Sequence, residues 1–115
     1  MKKKSDLVMQ TCEACDGGTE ALKGDAIGDF LKQVPGWKAE KTKIPALCRV
    51  FKFKNYFESM AFVNATAWIS HRENHHPDIE LGYNQVTMRY STHAVKGITM
   101  NDFICAAKVD AMMGI

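Results

Sequence analysis

The stretch SHRENHHPDIELGY (residues 70–83) joins the longest helical pattern of the chain to a strand pattern. It contains three of the four histidines of the chain, His71, His75 and His76, and Pro77 follows them. Because proline cannot easily continue a helix, the sequence predicts that the helix ends at about His76. The apolar residues of IELGY then predict a strand, so this junction separates a helix from a sheet.

The helix before the junction is predicted over residues 57–76. Its apolar residues follow the i, i+1, i+4, i+7, i+8 spacing of one helix face: Ala61, Phe62, Ala65, Trp68 and Ile69. Continued by seven residues, this face places His75 and His76 in the last turn, at the edge of the core. The helix macrodipole favours protonated imidazole at that end.

Two hairpins and two further helices flank this helix. The other predicted elements are a helix over 25–34 that begins at Asp25, two strands over 37–54 with a turn near KIPA (43–46), a hairpin with its turn at GYNQ (82–85), and a last helix opening at TMND (99–102). In LCRVFKF (47–53) the residues alternate as in a strand, but Arg49 and Lys52 lie on opposite faces. The alternation therefore leaves open which face is buried.

The order α-β-β-α-β-β-α predicts an α+β fold, with a four-stranded antiparallel sheet and three helices packed on one face. Residues 1–24 are polar and contain glycines, which predicts a weakly ordered N-terminal segment before a single domain over 25–115. So small a sheet has open edges, which favour pairing with another subunit.

Composition narrows the class of protein. The chain has 115 residues and a formal net charge of +2, which gives no support for nucleic-acid binding. No apolar run approaches the ~20 residues that span a bilayer, and residues 1–10 lack the apolar core of a signal peptide. We therefore expect a cytoplasmic protein whose four cysteines are reduced thiols.

The histidines allow three interpretations. They could cap the free carbonyls of the helix end. They could bind zinc, because His71 and His75 are spaced i, i+4 and Cys12-x-x-Cys15 offers two thiols; however, Glu73 is misplaced for the zinc-protease motif and no second cysteine pair exists. They could also perform acid–base chemistry with His93, since imidazole exchanges protons near neutral pH. Two imidazoles beside a small molecule could then remove water without a metal or an organic cofactor.

Several spaced motifs agree with one known family. They are Cys12-Glu13-Ala14-Cys15, Pro35-Gly36-Trp37, His71-x-x-x-His75-His76-Pro77, Tyr83, Ser91-Thr92-His93 and Asp102. Over about residues 12–112 the chain resembles the pterin-4a-carbinolamine dehydratases. The resemblance implies a cytoplasmic hydro-lyase that needs no cofactor and forms dimers or tetramers. Its reaction would convert 4a-hydroxytetrahydrobiopterin to quinonoid dihydrobiopterin, which links it to phenylalanine hydroxylase and the other aromatic amino-acid hydroxylases.

The resemblance also implies roles for particular residues. His75, His76 and His93 would be catalytic; we interpret His75 and His93 as the acid–base pair and His76 as orienting the ring. The implied substrate-binding residues are His71, Trp37, Ser91, Thr92 and Asp102. Trp37 could equally belong to the core, and Asp102 could equally cap a helix.

The sequence leaves two questions open, the role of position 71 and the choice between an enzyme and a protein-binding module. His71 stands where many members carry an acidic residue that would pair with the pterin, and Glu73 or Glu80 could substitute for it. Animal relatives also act as dimerisation cofactors for a transcription activator, so a protein-binding module that retains the fold is the alternative function. That role would not require the histidines, all of which this chain keeps.

Overall fold

The sheet is antiparallel and is covered on one face by helices. The computed structural model describes residues 4–13 and 20–115. In chain order the elements are α1 (Lys4–Met9), α2 (Gly24–Leu31), β1 (Lys38–Glu40), β2 (Ala46–Lys52), α3 (Tyr56–Glu73), β3 (Asp78–Leu81), β4 (Gln85–Tyr90) and α4 (Met100–Met112). The strand order β1-β2-β4-β3 joins the two hairpins through their second strands. The predicted α+β fold with a four-stranded antiparallel sheet is confirmed.

The register between β2 and β4 decides which face of the sheet is buried. Leu47 lies opposite Tyr90 and Phe51 lies opposite Val86, and all four side chains are buried. Val50 points to the other face and is 45% exposed. The core therefore lies on the face that carries Leu47 and Phe51, which sequence alternation alone did not decide.

Arg49 lies on this buried face because Asp110 of α4 neutralises it. Its Nη1 is 3.1 Å from Asp110 Oδ1, and Trp37 Nε1 donates to the same oxygen at 2.9 Å. A Cβ at Gly36 would lie 2.2 Å from Nη1 of Arg49, so glycine leaves room for the guanidinium. Trp37 is 2% exposed and belongs to the core. The Pro35-Gly36-Trp37 motif is thus explained by packing.

The sequence pattern predicts no helix before Asp25, whereas in the structure α1 packs against α4. Leu7 is fully buried there, and Lys108 Nζ donates to the Val8 carbonyl at 2.6 Å. Six residues are too few to form a stable helix alone, so tertiary packing rather than periodicity stabilises α1. The described residues therefore contain four α-helices, one more than the three predicted.

Helix α3 begins one residue before and ends three residues before the predicted bounds. Asn55 caps its start by accepting from the Glu58 amide at 3.0 Å. At its other end Asn74 adopts a left-handed conformation with φ 50°, which ends the helix before Pro77 is reached. His75 and His76 therefore lie beyond the helix rather than in its last turn.

The buried face of α3 also differs from the predicted stripe. Ser59, Phe62 and Thr66 are buried, whereas Trp68 is 62% exposed. The two hydroxyls donate to backbone carbonyls, Ser59 to Asn55 at 3.2 Å and Thr66 to Val63 at 2.8 Å. Because these bonds satisfy the two hydroxyl groups, Ser59 and Thr66 can be buried although a hydrophobic pattern does not predict it. None of the described helices is long and apolar enough to cross a membrane.

Replacing Asn74 with alanine is expected to lower the free energy of unfolding by about 1 kcal/mol, because alanine lacks the short polar side chain whose local hydrogen bonding lets asparagine adopt the left-handed conformation. Asn74→Gly is the matched control and is expected to leave the free energy within about 0.5 kcal/mol of the wild type. Urea unfolding of both variants measures the difference. An equal loss in both would contradict the conformational explanation and assign the effect to the amide side chain.

Candidate active site

A cavity of about 560 Å³ opens beside the junction between α3 and β3. Its walls come from that junction, the end of β4, the start of α4 and the segment that follows α1. The lining residues are Cys12, Glu13, Glu73, Asn74, His75, His76, Pro77, Asp78, Ser91, Thr92, His93, Ala94 and Asn101. Its volume lies in the range of small-molecule sites. Three of the four histidines therefore line one cavity.

His75 is turned towards α4 by the end of α3. Its backbone amide donates to the Ser70 carbonyl at 3.3 Å, directly after the left-handed Asn74. The His75 side chain is 11% exposed, and its Nε2 lies 2.6 Å from Asp102 Oδ1. His76, the next residue, is exposed and lines the cavity from the same loop.

Asp102 is fully buried and all its contacts come from donors. Its Oδ2 accepts from the Thr99 amide at 2.8 Å and from the Thr92 hydroxyl at 2.9 Å. The Thr99 contact belongs to the capping box of α4, so Asp102 both caps the helix and contacts His75. Asp102 is therefore a helix cap, and its fully buried side chain reaches the cavity only through His75.

The hydroxyls around Asp102 have one consistent direction of hydrogen bonding. Thr92 uses its only hydroxyl proton for Asp102, so Thr99 must donate in the 2.8 Å contact between their hydroxyls. Thr99 Oγ1 in turn accepts from the Asn101 amide at 3.2 Å. With Oδ2 occupied by these donors, the charged Asp102 accepts from His75 Nε2–H. This assignment leaves Nδ1 as the ring nitrogen of His75 available to a ligand.

Tyr90 supports the other side of the His75 ring. The two rings are stacked, with centroids 6.0 Å apart and planes inclined by 11°. Tyr90 is fully buried, and burial raises the pKa of its hydroxyl well above the usual value. The phenol therefore stays neutral at physiological pH, and the ring position of His75 is fixed by Tyr90 and Asp102 together.

His93 lines the cavity from the segment that follows β4 rather than from the α3–β3 junction. It opens a short 3-10 turn, His93–Val95, directly after the Thr92–Gly97 bridge. His93 is exposed, and it also borders a smaller groove of about 260 Å³ next to the β1–β2 connection. The backbone N–H and C=O of Thr92 bond to Gly97 at 2.8 and 3.3 Å. The backbone of Thr92 is therefore occupied by Gly97, and its hydroxyl is the group that contacts Asp102. Ser91 lines the cavity.

Three residues assigned to the site by resemblance do not line the cavity. Asp102 is fully buried and lies behind His75, to which it is bonded. Trp37 is in the core, as described above. His71 is exposed on α3, where its ring lies against Trp68 at a centroid distance of 5.4 Å. Because His75 lies beyond the helix end, His71 and His75 do not share the i, i+4 face that the zinc interpretation required.

The cavity wall formed by residues 12 and 13 was not predicted. The Cys12 amide donates to Glu73 Oε1 at 2.7 Å. Glu13 and Asn101 form a reciprocal pair, with the Glu13 amide donating to Asn101 Oδ1 at 3.0 Å and Asn101 Nδ2 donating to the Glu13 carbonyl at 2.7 Å. These long-range contacts have no local sequence signal. The remaining half of the Cys12-x-x-Cys15 motif, Cys15, lies outside the described residues.

Of the two carboxylates that could replace an acidic residue at position 71, the structure brings only Glu73 to the cavity. Glu80 lies on the open face of the sheet in contact with Arg89, which also binds Glu40 at 2.8 Å. Hydrogen bonding to Arg89 holds the pKa of Glu40 below its usual value. Among residues 4–13 and 20–115, no group of three histidines, cysteines or carboxylates is arranged to hold a metal ion.

Comparison with known proteins decides the family. The sequence profile of the pterin 4 alpha carbinolamine dehydratase family matches residues 20–112. The chain belongs to this family. A relative from Nitrosomonas eutropha, provisionally named a pterin-4-alpha-carbinolamine dehydratase, is 49% identical over 109 residues, which cover 94% of each chain. A relative from Dechloromonas aromatica with the same provisional name is 42% identical over 115 residues and covers both chains fully.

Solved structures of family members share the fold. A transcriptional coactivator/pterin dehydratase from Brucella melitensis superposes with a TM-score of 0.75 at 28% identity, covering 81% of this chain and 98% of that one. A pterin dehydratase-like protein, identified as a RuBisCO assembly factor in the alpha-carboxysome, superposes with a TM-score of 0.59 at 28% identity, covering 69% and 90%. The pterin dehydratase fold thus also occurs in a protein described by an assembly role.

Proposed function

We propose that this chain dehydrates 4a-hydroxytetrahydrobiopterin to quinonoid dihydrobiopterin by histidine acid–base catalysis. It would thereby recycle the pterin cofactor of aromatic amino-acid hydroxylases in the cytoplasm, in functional association with phenylalanine hydroxylase. Family membership supports the reaction class. The observation that carries the mechanism is the His75 ring, held at the cavity wall by the buried Asp102 carboxylate at 2.6 Å.

The reaction breaks the bond between C4a and its hydroxyl oxygen and removes the proton of N5. The new double bond joins C4a to N5, and the hydroxyl leaves as water after it gains a proton. The site must therefore supply one proton and accept another on neighbouring atoms of the ligand. Two imidazoles satisfy this requirement because each exchanges a proton near neutral pH.

We assign the two proton transfers to His75 and His93. His75 donates through Nε2 to Asp102, so the carboxylate fixes the tautomer and compensates the positive charge that develops when Nδ1 takes a proton. His93 lines the same cavity from the 3-10 turn after β4 and is open to solvent. His76 is then available to orient the pterin ring from the loop that carries His75.

The carboxylates at the cavity wall suit the rest of the ligand. A reduced pterin carries an amino group and ring N–H donors along one edge, and Glu13, Glu73 and Asp78 supply acceptors around the cavity. Glu73 is the carboxylate that we expect to pair with this edge. Its Oε1 accepts from Cys12, and its Oε2 lies 3.7 Å from Lys108 Nζ, so its position is fixed from two sides.

The purified chain is expected to accelerate dehydration of 4a-hydroxytetrahydrobiopterin above the spontaneous rate, in proportion to its concentration. The substrate is generated by phenylalanine hydroxylase, and quinonoid product is followed by absorbance. A chelator added after the substrate has been generated is expected to leave the rate unchanged, since imidazole proton transfer requires no Lewis acid. A folded chain that leaves the spontaneous rate unchanged would contradict the proposal.

The alternative function is a protein-binding module. The two solved relatives are described as a transcriptional coactivator/pterin dehydratase and as a RuBisCO assembly factor. In this chain Phe57 is 82% exposed and Trp68 is 62% exposed on the outer side of α3, and β1 and β3 form the edges of the sheet. These surfaces suit self-association as a dimer or tetramer as well as a partner. A folded chain that self-associates or binds a protein partner but does not accelerate dehydration in the assay above would favour this alternative.

A further inference from the structure

Two cysteine thiols from distant parts of the chain are in contact. Cys12 Sγ and Cys105 Sγ lie 3.6 Å apart, although the residues are 93 positions apart in sequence. Cys105 is fully buried in α4, whereas Cys12 is partly exposed at the wall of the cavity. An oxidant in solution can therefore reach one thiol of the pair directly and the other only through it.

The contact is held by the surrounding backbone. The Cys12 amide is bonded to Glu73 at 2.7 Å, and its Sγ lies 3.6 Å from the Asn101 carbonyl, one helical turn before Cys105. Glu13, the residue after Cys12, is held to the same helix by its reciprocal pair of hydrogen bonds with Asn101. Since a disulfide bond is about 2.05 Å long, the sulfurs need to approach by only about 1.5 Å, which side-chain rotation supplies.

We propose that Cys12 and Cys105 form a reversible disulfide that locks the segment of residues 10–13 onto α4 at the cavity wall. With glutathione disulfide as the oxidant, Cys12 thiolate attacks one glutathione sulfur and releases the first glutathione thiol. Cys105 then attacks the Cys12 sulfur of this mixed disulfide as its proton passes to the departing glutathione sulfur, which leaves as the second glutathione thiol. Two protein thiols are oxidised and one glutathione disulfide is reduced to two thiols.

The order of attack follows from the surroundings of the two thiols. The hydrogen bond with Cys12, and then burial, raise the pKa of Cys105 well above its usual value. Cys105 therefore keeps its proton and donates it towards Cys12 sulfur, which leaves the more exposed Cys12 to react first. The closed loop spans most of the chain, so the disulfide lowers the conformational entropy of the unfolded state by more than a short loop would.

Two other thiols could compete with this pair. Cys15 is close to Cys12 in sequence, and Cys48 lies on the open face of the sheet, opposite Arg89 in the register. The test therefore uses the full chain as wild type and as the double variant Cys15→Ser/Cys48→Ser, which retains only the proposed pair. The matched control adds Cys105→Ser to this double variant.

Each protein is reduced, incubated with glutathione disulfide, alkylated and digested without reductant. The double variant is expected to yield a linked peptide pair that contains Cys12 and Cys105, with a mass about 2 Da below the sum of the reduced peptides. Its Tm is expected to rise by about 5 °C or more and to return with dithiothreitol. The control is expected to keep glutathione on Cys12 without this rise in Tm.

Two results would overturn the disulfide. One is stable glutathione on Cys12 in the double variant while Cys105 is alkylated after denaturation. The other is a wild-type link between Cys12 and Cys15 with Cys105 fully alkylated. The peptide map does not depend on dehydratase activity, so it separates this inference from the proposed reaction.

Discussion

His75→Ala is expected to lower kcat/KM for 4a-hydroxytetrahydrobiopterin by about 10²–10⁴-fold, the range for removal of a general acid or base. His75 is the histidine whose ring is fixed on both sides, by Asp102 at 2.6 Å and by the stacked Tyr90. Its loss removes one proton transfer and leaves the carboxylate without its imidazole donor. Initial rates are measured with substrate supplied by phenylalanine hydroxylase and corrected for spontaneous dehydration.

His71→Ala is the matched control, because His71 is exposed and lies outside the cavity. Its kcat/KM is expected to stay within about twofold of the wild type, as for a surface substitution. Thermal unfolding of both variants separates lost catalysis from lost folding. Equal activity losses in His71→Ala and His75→Ala would contradict both the assignment of His75 and the removal of His71 from the site.

Asp110→Ala is expected to lower the free energy of unfolding by about 3–5 kcal/mol, the cost of removing one partner of a buried ion pair. Asp110 is fully buried and accepts from Arg49 at 3.1 Å and Trp37 at 2.9 Å. Its removal leaves a guanidinium on the core face of the sheet with less compensating charge. Urea unfolding followed by tryptophan fluorescence measures the loss.

Glu80→Gln provides the comparison for this ion pair. Glu80 contacts Arg89 on the open face of the sheet, where its side chain is 68% exposed. Exposed pairs contribute little, so we expect a change of less than about 1 kcal/mol. A loss for Asp110→Ala as small as that for Glu80→Gln would mean that Arg49 finds water or another partner when Asp110 is absent.

The order and type of most elements could be predicted because their signals are local. Helical and strand periodicities appear within a few turns or residues, and the Thr99–Asp102 capping box spans a single turn. Pro77 correctly indicated that a helix ends near the histidines. Its early end at Glu73 follows from Asn74, a residue type that tolerates the left-handed conformation and could have indicated the position.

The motifs shared with the family include residues that have different structural roles. His75, His76 and His93 do line one cavity, but Trp37 contributes to the core and supports the Arg49–Asp110 pair. A motif records which residues occur together and does not distinguish a ligand contact from packing. Only the positions of the side chains separate these two roles.

Local sequence patterns were enough to predict the antiparallel α+β order, the cap of α4 and the concentration of histidines at one junction. Three features became known only from the folded chain: the buried face of β2, the carboxylate that holds His75, and the thiol that lies beside Cys105. His75 and Asp102 are 27 residues apart, and Cys12 and Cys105 are 93 apart. Such contacts form only when all the helices and strands pack into one core, because no local interaction brings residues so distant in sequence together.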